Sequence, residues 1–185
     1  MKIVVLTGTP KSEGLSVSCV GAAVAGAEKA GASVVVIDLC NTSIGRCKVC
    51  GDGWGICRNE HICAYGEDGF TEVSKEIAEA DALVFQTPVY WGETSEVLKS
   101  FLDRFRRCEA LQEKTALTGK EVLLIAAPGG TGNGLLTCLQ QMERAVQHMR
   151  GHVFDYIGVN RWNKEYKLKA IEAAAEALAL QRSTR

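Results

Sequence analysis

The chain has 185 residues and a formal net charge of −1, so its charge balance does not favour binding to nucleic acid or to an acidic membrane surface. Its length suits one domain with a buried core, and no apolar run reaches the roughly 18 residues of a membrane span. The N-terminus predicts a β-strand rather than a signal peptide, and eight cysteines are then expected as reduced thiols in the cytoplasm.

The predicted elements alternate between strands and helices along the chain. Lys2–Thr7 is a β-branched run typical of a buried strand, residues 15–30 predict a helix, and residues 33–39 predict a second strand. After a long irregular stretch, the pattern predicts helix 70–80, strand 82–86, helix 94–108, strand 120–127, helix 135–150, strand 152–159 and helix 164–181. The alternation predicts an α/β fold: a doubly wound, parallel, five-stranded sheet with the flavodoxin-like order 2-1-3-4-5, forming one domain over residues 1–185.

Three loops rich in Gly, Pro, Ser and Thr follow the first, third and fourth strands, at the edge where open parallel sheets bind ligands. Residues 7–16 lead into a helix N-terminus that suits a phosphate, or else form an ordinary capping turn. Residues 87–94 carry two adjacent aromatics that either stack on a flat ring or belong to the core. Residues 128–134 contain four glycines, which permit close backbone approach to a ring or form a flexible connection. One phosphate and one flat ring together indicate FMN.

Four of the eight cysteines fall in a glycine-rich stretch without helical or strand periodicity, within a long loop at about residues 40–69. Such a loop buries little apolar surface, and four converging thiolates would order it by binding a metal centre. The candidate ligands are Cys47, Cys50, Cys57 and Cys63. Their close spacing favours a [4Fe–4S] cluster, four thiolates also suit structural zinc, and a loop without metal is the third possibility.

The remaining cysteines and the loop histidine receive weaker assignments. Cys40 is a spare candidate ligand, and His61 is either a replacement ligand or an exposed loop residue. Cys19, Cys108 and Cys138 fall within predicted helices and are expected to be small buried hydrophobes.

The loop sequences resemble a known group of flavoproteins. Residues 8–16, Gly-Thr-Pro-Lys-Ser-Glu-Gly-Leu-Ser, are similar to the phosphate loop of NAD(P)H-dependent FMN reductase-like proteins. Residues 87–92, Thr-Pro-Val-Tyr-Trp-Gly, and residues 98–104, Leu-Lys-Ser-Phe-Leu-Asp-Arg, resemble the longer flavin-site segment of the same family. With the cysteine loop included, the chain resembles the iron–sulfur flavoproteins of anaerobic microbes, which carry a [4Fe–4S] cluster beside FMN in a flavodoxin-like fold.

The resemblance implies three groups of FMN contacts. The phosphate would be surrounded by Thr9, Lys11, Gly14, Leu15 and Ser16. The ribityl chain and ring would be bordered by Pro88, Val89, Tyr90, Trp91 and Gly92. The other side of the ring would be closed by Pro128, Gly129 and Gly130.

The chain also departs from the family pattern. Lys11 replaces an arginine, which keeps the charge but loses bidentate phosphate recognition, and Leu15 replaces an asparagine. Glu93 adds a negative charge beside the ring site without an assigned role. The gap between Cys50 and Cys57 is longer than in the family by four residues, which are expected to bulge outward on their glycines.

These features predict a flavin-dependent oxidoreductase that passes electrons between a soluble carrier such as ferredoxin and an acceptor through FMN and the cluster. No catalytic side chain is predicted, because the flavin itself carries the chemistry. The alternative is an NAD(P)H-dependent FMN or quinone reductase with a structural or metal-free cysteine loop, and a redox or metal sensor is the third reading. The resemblance implies a homodimer or homotetramer, in which the cluster Arg104, Arg106 and Arg107, with Phe105 and Trp162, lies at contacts or on ordinary surface.

Overall fold

The computed structural model describes residues 1–181. Its strands are β1 (Lys2–Thr7), β2 (Ser33–Asp38), β3 (Ala82–Val89), β4 (Glu121–Pro128) and β5 (His152–Gly158). Its α-helices are α1 (Leu15–Lys29), α2 (Phe70–Glu79), α3 (Glu96–Glu109), α4 (Leu135–His148) and α5 (Lys164–Leu180). Two short 3₁₀ helices, Ile56–Arg58 and Gly66–Asp68, lie between β2 and α2. No helix within residues 1–181 is both long and apolar enough to cross a membrane.

The strands form one parallel sheet in the order β2-β1-β3-β4-β5, which confirms the predicted flavodoxin-like architecture. The direction of winding reverses between β1 and β3, and Thr7 pairs with Gln86 at that point. Val89 pairs with Pro128 at the end of the next strand pair. The carboxyl ends of β1, β3 and β4 are therefore neighbours, and the three predicted loops leave the sheet side by side.

Helices cover both faces of the sheet. On β1, Ile3 and Val5 are buried in the apolar cluster that includes α1 and α5, whereas Val4 and Leu6 are buried in the cluster that includes α2, α3 and α4. Because both faces are covered, the strand is apolar at successive positions instead of alternating.

The clearest boundary error of the sequence analysis is at β3, which runs to Val89 instead of ending at Gln86. Pairing with β1 stops at Gln86, while Thr87, Pro88 and Val89 continue to pair with β4. Pro88 therefore lies where β3 has become an edge on the β1 side, so its missing N–H removes no bond to β1. The other predicted helix and strand ends agree with the structure within about two residues.

Helices α1 and α5 pack closely at Gly26, where an added Cβ would lie 2.0 Å from the carbonyl oxygen of Glu172. We expect Gly26→Ala to destabilise the fold by about 1–3 kcal/mol, because the two helix backbones must separate. On the same helix, a Cβ on Gly21 meets no atom within 4 Å, so Gly21→Ala is expected to stabilise by roughly 0.5–1 kcal/mol. Urea unfolding measures both changes, and equal effects of the two substitutions would contradict this packing.

Candidate functional site

The first loop ends at an α1 N-terminus with free backbone donors. Gly14 is the N-cap residue with a φ of 105°, no side chain of the described residues caps the helix, and its first turn is free of acidic residues. A Cβ on Gly14 would meet no atom within 4 Å, so space is open in front of the helix. Thr9 is buried, Lys11 is exposed, and Leu15 and Ser16 are half-buried. Free N–H groups and the helix dipole at this end suit a phosphate.

The second loop is a tight turn that follows β3 directly. Tyr90 and Glu93 exchange two backbone hydrogen bonds of 3.0 Å, and the residues between them, Trp91 and Gly92, have φ values of 54° and 84°. Positive φ at both central positions defines a type I′ turn. Trp91 is fully exposed and Tyr90 is 45% exposed, so both aromatics are available for stacking and neither belongs to the core. The other predicted ring contacts on this segment are buried or half-buried: Pro88, Val89 and Gly92.

The third loop packs its backbone against this turn. A Cβ on Gly134 would lie 2.4 Å from the Cα of Gly92. The hydroxyl of Thr137 lies 2.8 Å from the carbonyl oxygen of Gly92 and 3.0 Å from that of Gly134. Gly129 and Gly130 are exposed, and a Cβ on either would meet no atom within 4 Å. Close packing at Gly134 and open space at the other two glycines replace the picture of a flexible connection. The third predicted residue of this group is buried: Pro128.

Buried polar atoms beneath these loops lack partners within the described chain: Gln86 Nε2, Thr94 Oγ1 and Ser95 Oγ. Ser95 precedes α3 without capping it, and a Cβ on Gly8 would lie 2.3 Å from its hydroxyl. Unpaired buried polar groups are unfavourable unless a ligand or water satisfies them. The uncapped helix, the exposed aromatics and these polar atoms together fit a ligand with a phosphate and a flat ring, as FMN has.

Glu93 has a structural partner that the sequence did not reveal. Gln141 of α4 donates from Nε2 to a carboxylate oxygen of Glu93, and its Oε1 accepts from the backbone N–H of Thr94 at 3.0 Å. Glu93 therefore helps to fix the turn on α4.

The four predicted metal ligands line one cavity, away from the flavin loops. The residues around it are Cys47, Cys50, Cys57, Cys63, Cys108, Gly53, Gly55, Ile56, Ala64, Arg104 and Arg107. All eight cysteines of the chain are free thiols. No three His, Cys, Asp or Glu side chains among residues 1–181 form a site for a single metal ion, so the fit to a metal centre rests on the shared cavity.

The insertion between Cys50 and Cys57 turns partly outward and partly inward, because Gly51 and Asp52 are exposed whereas its second half reaches the cavity wall. Gly53, Gly55 and Ile56 belong to the cavity wall. A Cβ on Gly55 would lie 3.4 Å from the Cys50 sulfur and 3.0 Å from its Cβ. Glycine at this position therefore lets the backbone pass close to the thiol, and all four cysteines line the cavity despite the longer spacing.

Two other loop residues adopt unusual backbone conformations. Val49 has a φ of 50° and His61 a φ of 60°. A β-branched residue in the left-handed region is a genuine outlier, and such strain is concentrated at ligand and active sites. His61 Nδ1 lies 3.2 Å from the carbonyl oxygen of Cys108, so this ring anchors the loop to α3.

Arg104 of α3 fastens the beginning and the end of the cysteine loop. It is 2% exposed, and its Nε donates to the Cys63 sulfur at 3.2 Å. Its Nη1 donates to the Gly45 carbonyl oxygen at 2.9 Å and to an Asp68 carboxylate oxygen at 2.8 Å, and Nη2 donates to the carbonyl oxygen of Tyr65. The assignment of Arg104 to ordinary surface or an oligomer contact is therefore wrong.

Arg107 holds the middle of the loop in the same way. Its Nη1 donates to the carbonyl oxygen of Gly53, and its guanidinium lies 5.1 Å from the ring centre of Trp54. Sequence reasoning named both arginines but missed their contacts with the cysteine loop, although a signal was present. Arg104 lies three residues after Phe101 on the buried stripe of α3, where an arginine must find partners within the fold.

Cys108 adds a fifth thiol to the cavity. It is buried, as are Cys19 and Cys138, which confirms their prediction as small buried residues. Burial raises the pKa of the Cys108 thiol to about 12, and the nearby Cys63 and Cys57 add to this rise. Cys40, the spare candidate ligand, does not line the cavity.

Residues 1–163, which include all three flavin loops and the cysteine loop, match the family described as NADPH-dependent FMN reductase. The chain belongs to this family. It is thus a flavin-dependent oxidoreductase, as the sequence predicted.

The chain is also similar to individual proteins, both in sequence and in fold. The chain is 28% identical over 134 residues to an iron–sulfur flavoprotein of Methanosarcina thermophila, and the alignment covers 72% of this chain and 66% of that relative. It is 25% identical over 190 residues to an iron–sulfur flavoprotein of Methanocaldococcus jannaschii, with 100% and 93% covered. The solved NAD(P)H:quinone oxidoreductase from Methanothermobacter marburgensis shares the fold, with a TM-score of 0.75, 20% identity and 98% of both chains covered.

In this member of the family, the cavity and the flavin loops lie near opposite ends of α3. The cysteine loop does begin at the flavin edge, where the Leu39 N–H donates to the Thr7 carbonyl oxygen at 3.0 Å. The cavity, however, adjoins Arg104, Arg107 and Cys108 in the second half of α3. The 14 residues of α3 span about 20 Å, so much of a helix length separates the cavity from the flavin loops.

Asp68 makes the loop anchoring dependent on pH. Burial opposes its ionisation, but hydrogen bonds from Arg104 and from the Gly45 N–H outweigh that effect and hold its pKa below the usual 3.8. The contribution to stability is therefore complete above about pH 4 and is lost as the pH falls through the lowered pKa. We expect Asp68→Asn to lower the thermal midpoint at pH 7, with a gap to wild type that narrows below about pH 4. A gap that stays constant down to about pH 2 would contradict this assignment.

Proposed function

We propose that this chain is an iron–sulfur flavoprotein that binds FMN at the carboxyl edge of its sheet and a [4Fe–4S] cluster in the cysteine cavity. It transfers electrons between a soluble carrier, such as ferredoxin, and an acceptor. The observation that carries the proposal is the single cavity lined by all four predicted cysteines, in a chain of an FMN-dependent family. When bound, FMN supplies one- and two-electron chemistry, and the cluster supplies one-electron chemistry.

The flavin loops have separate tasks in this proposal. The α1 N-terminus, together with Thr9 and the exposed Lys11 of the preceding loop, binds the phosphate. The turn at 88–92 and the glycines at 129–130 border the ring from two loops that are already packed against each other. The absence of a predicted general base fits electron transfer, in which the chain positions the flavin and sets its surroundings. The whole of residues 1–185 acts as one FMN-binding domain.

The cysteine cavity supplies the ligands for the cluster. Cys47, Cys50, Cys57 and Cys63 are half-buried free thiols, so they reach the cavity while the loop backbone stays at the surface. Free thiols in this number require a reducing compartment, and the proposal places the protein in the cytoplasm.

The proposal includes a homodimer or homotetramer. The cavity lies about one helix length from the flavin loops of its own chain, and Trp91 at those loops is fully exposed. An assembly in which the cavity of one chain approaches the flavin turn of another would shorten that path. Size-exclusion chromatography with light scattering tests the assembly, and a monomer at micromolar concentration would contradict it.

The second candidate function is an NAD(P)H-dependent FMN or quinone reductase with a structural or metal-free cysteine loop. The family match favours it, and the fully exposed Trp91 turn leaves room for a second planar molecule beside the flavin. In that case NAD(P)H is a substrate. The cysteine loop is then held in place either by its contacts with α3 alone or by a bound zinc ion.

Anaerobic stopped-flow measurements separate the two functions. Flavin bleaching is followed after mixing with a reduced one-electron carrier, such as ferredoxin, and after mixing with NADPH. The carrier should bleach the flavin of cluster-loaded protein at least about tenfold faster than that of protein stripped of metal by chelation. The rate of flavin bleaching by NADPH should be the same with and without the metal. Equal carrier rates with fast NADPH oxidation would support the reductase instead.

A further inference from the structure

The buried face of α3 carries one positive charge, that of Arg104, which has no role in the proposed flavin site. Arg104 is almost completely buried on a helix whose other buried residues are mostly apolar, among them Phe101 and Phe105. Its guanidinium lies 4.3 Å from the ring centre of Phe70. A buried arginine loses much of its hydration, and its retention therefore depends on the partners it finds.

The hydrogen-bond partners of Arg104 all belong to the cysteine loop. They are a ligand sulfur, two backbone carbonyl oxygens and one carboxylate: Cys63, Gly45, Tyr65 and Asp68. Every nitrogen of the guanidinium thus holds a different part of the loop, and the fork geometry that does this is available only to arginine. The Nε–H bond is the one contact made to a predicted metal ligand.

Neighbouring arginines on α3 provide an internal comparison. Arg107 also lines the cavity, but within the described residues its hydrogen bond is to the backbone of Gly53 and not to sulfur. Arg106 carries the same charge on the same helix and is half-buried, but its side chain makes no hydrogen bond or ion pair within residues 1–181. Charge alone is therefore common to the three residues, and the N–H···S contact distinguishes Arg104.

We propose that Arg104 is a positioning residue of the metal centre, which fixes Cys63 and favours the reduced form of the centre through its N–H···S bond and its positive charge. This inference rests on the proposed function, because it requires a redox centre in the cavity. Reduction adds one electron to the centre and changes no bond of Arg104. Hydrogen bonds to the sulfur ligands and net local charge are among the factors that set the potentials of iron–sulfur centres.

The direction of the effect follows from the charges. The added electron makes the centre more negative. The hydrogen bond that Arg104 donates to the Cys63 sulfur therefore stabilises the reduced centre more than the oxidised one. Asp68, 2.8 Å from Arg104 Nη1 and 32% exposed, offsets part of the cation's field but accepts nothing from Nε. The bond from Nε to sulfur therefore remains the feature whose loss is most specific.

The test compares wild type with Arg104→Gln, Arg104→Lys and Arg106→Gln, all reconstituted anaerobically with iron and sulfide. The first readout is iron per chain, and the second is the midpoint potential from a mediated titration followed by EPR. We expect Arg104→Gln to retain half of the iron or less. In the centres that remain, we expect the redox equilibrium to shift about tenfold toward the oxidised form. This corresponds to a midpoint potential about 59 mV more negative for a one-electron couple. Arg104→Lys should shift in the same direction by less, and Arg106→Gln should match wild type.

Each outcome decides something different. Wild-type iron content and potential in Arg104→Gln would overturn the inference, and so would equal shifts in Arg104→Gln and Arg106→Gln. Wild type that binds no iron would defeat the proposed function first, and this inference with it. Far-UV circular dichroism checks the fold, and if Arg104→Gln does not fold, the potential of Arg104→Lys alone must shift in the stated direction.

Discussion

Substitution of Cys50 by serine is expected to lower the iron content of the reconstituted protein from about four atoms per chain to less than about one, with FMN binding retained. A serine hydroxyl does not ionise as a thiol does, so one ligand of four is lost. The flavin loops lie at the other end of α3 and should not be affected. Iron and flavin are measured on the same anaerobic sample.

Two further variants make the cysteine experiment decisive. Cys40→Ser is the matched control, because Cys40 is half-buried in the same loop but does not line the cavity, and it should keep all of its iron. Cys108 is a fifth thiol in the cavity wall, so ligand exchange would preserve part of the iron in Cys50→Ser. In that event, Cys50→Ser/Cys108→Ser should lose the remainder. Full iron in Cys50→Ser, or its loss in Cys40→Ser, would contradict the assigned ligands.

The second large effect is expected at Gly134, where the turn after β3 meets the loop before α4. Alanine there places a Cβ 2.4 Å from the Gly92 Cα on a backbone with a φ of 76°. The left-handed conformation and the backbone overlap together should destabilise the protein by about 2–4 kcal/mol. Displacement of Gly92 should also weaken FMN binding by at least about tenfold, because the turn that borders the ring moves with it.

Gly130→Ala is the contrasting variant in the same loop. A Cβ there meets no atom of the chain, so the stability of the flavin-free protein should stay within about 0.5 kcal/mol of wild type. The same Cβ occupies space that the proposal gives to the flavin, and FMN affinity should fall. Urea unfolding without flavin and fluorescence titration with FMN measure the two quantities. Loss of stability in Gly130→Ala, or wild-type stability in Gly134→Ala, would contradict the loop packing.

The sheet and its helices could be predicted because their signals are local. Buried strands such as β1 are continuous apolar runs, and helices such as α2 repeat apolar residues every three or four positions. The end of β3 was missed because a proline argues against a strand unless the neighbouring strand is known to have ended. That fact depends on sheet register, which a single segment does not carry.

One part of the candidate site could be predicted from the sequence and another part could not. The grouping of the three strand-end loops could be predicted, since sheet topology alone places the ends of β1, β3 and β4 together. The position of the cysteine cavity could not, because the spacing of Cys47 to Cys63 does not say where a long loop folds back. Its location follows from contacts to Arg104 and Arg107, which lie some forty to sixty residues further along the chain.

Metal and flavin analysis of one anaerobic wild-type sample, combined with visible and EPR spectra before and after reduction, tests the central claim most directly. The account predicts about one FMN and about four irons per chain, with a cluster signal that appears on reduction. Flavin without iron after anaerobic reconstitution, or about one zinc per chain in its place, would contradict it.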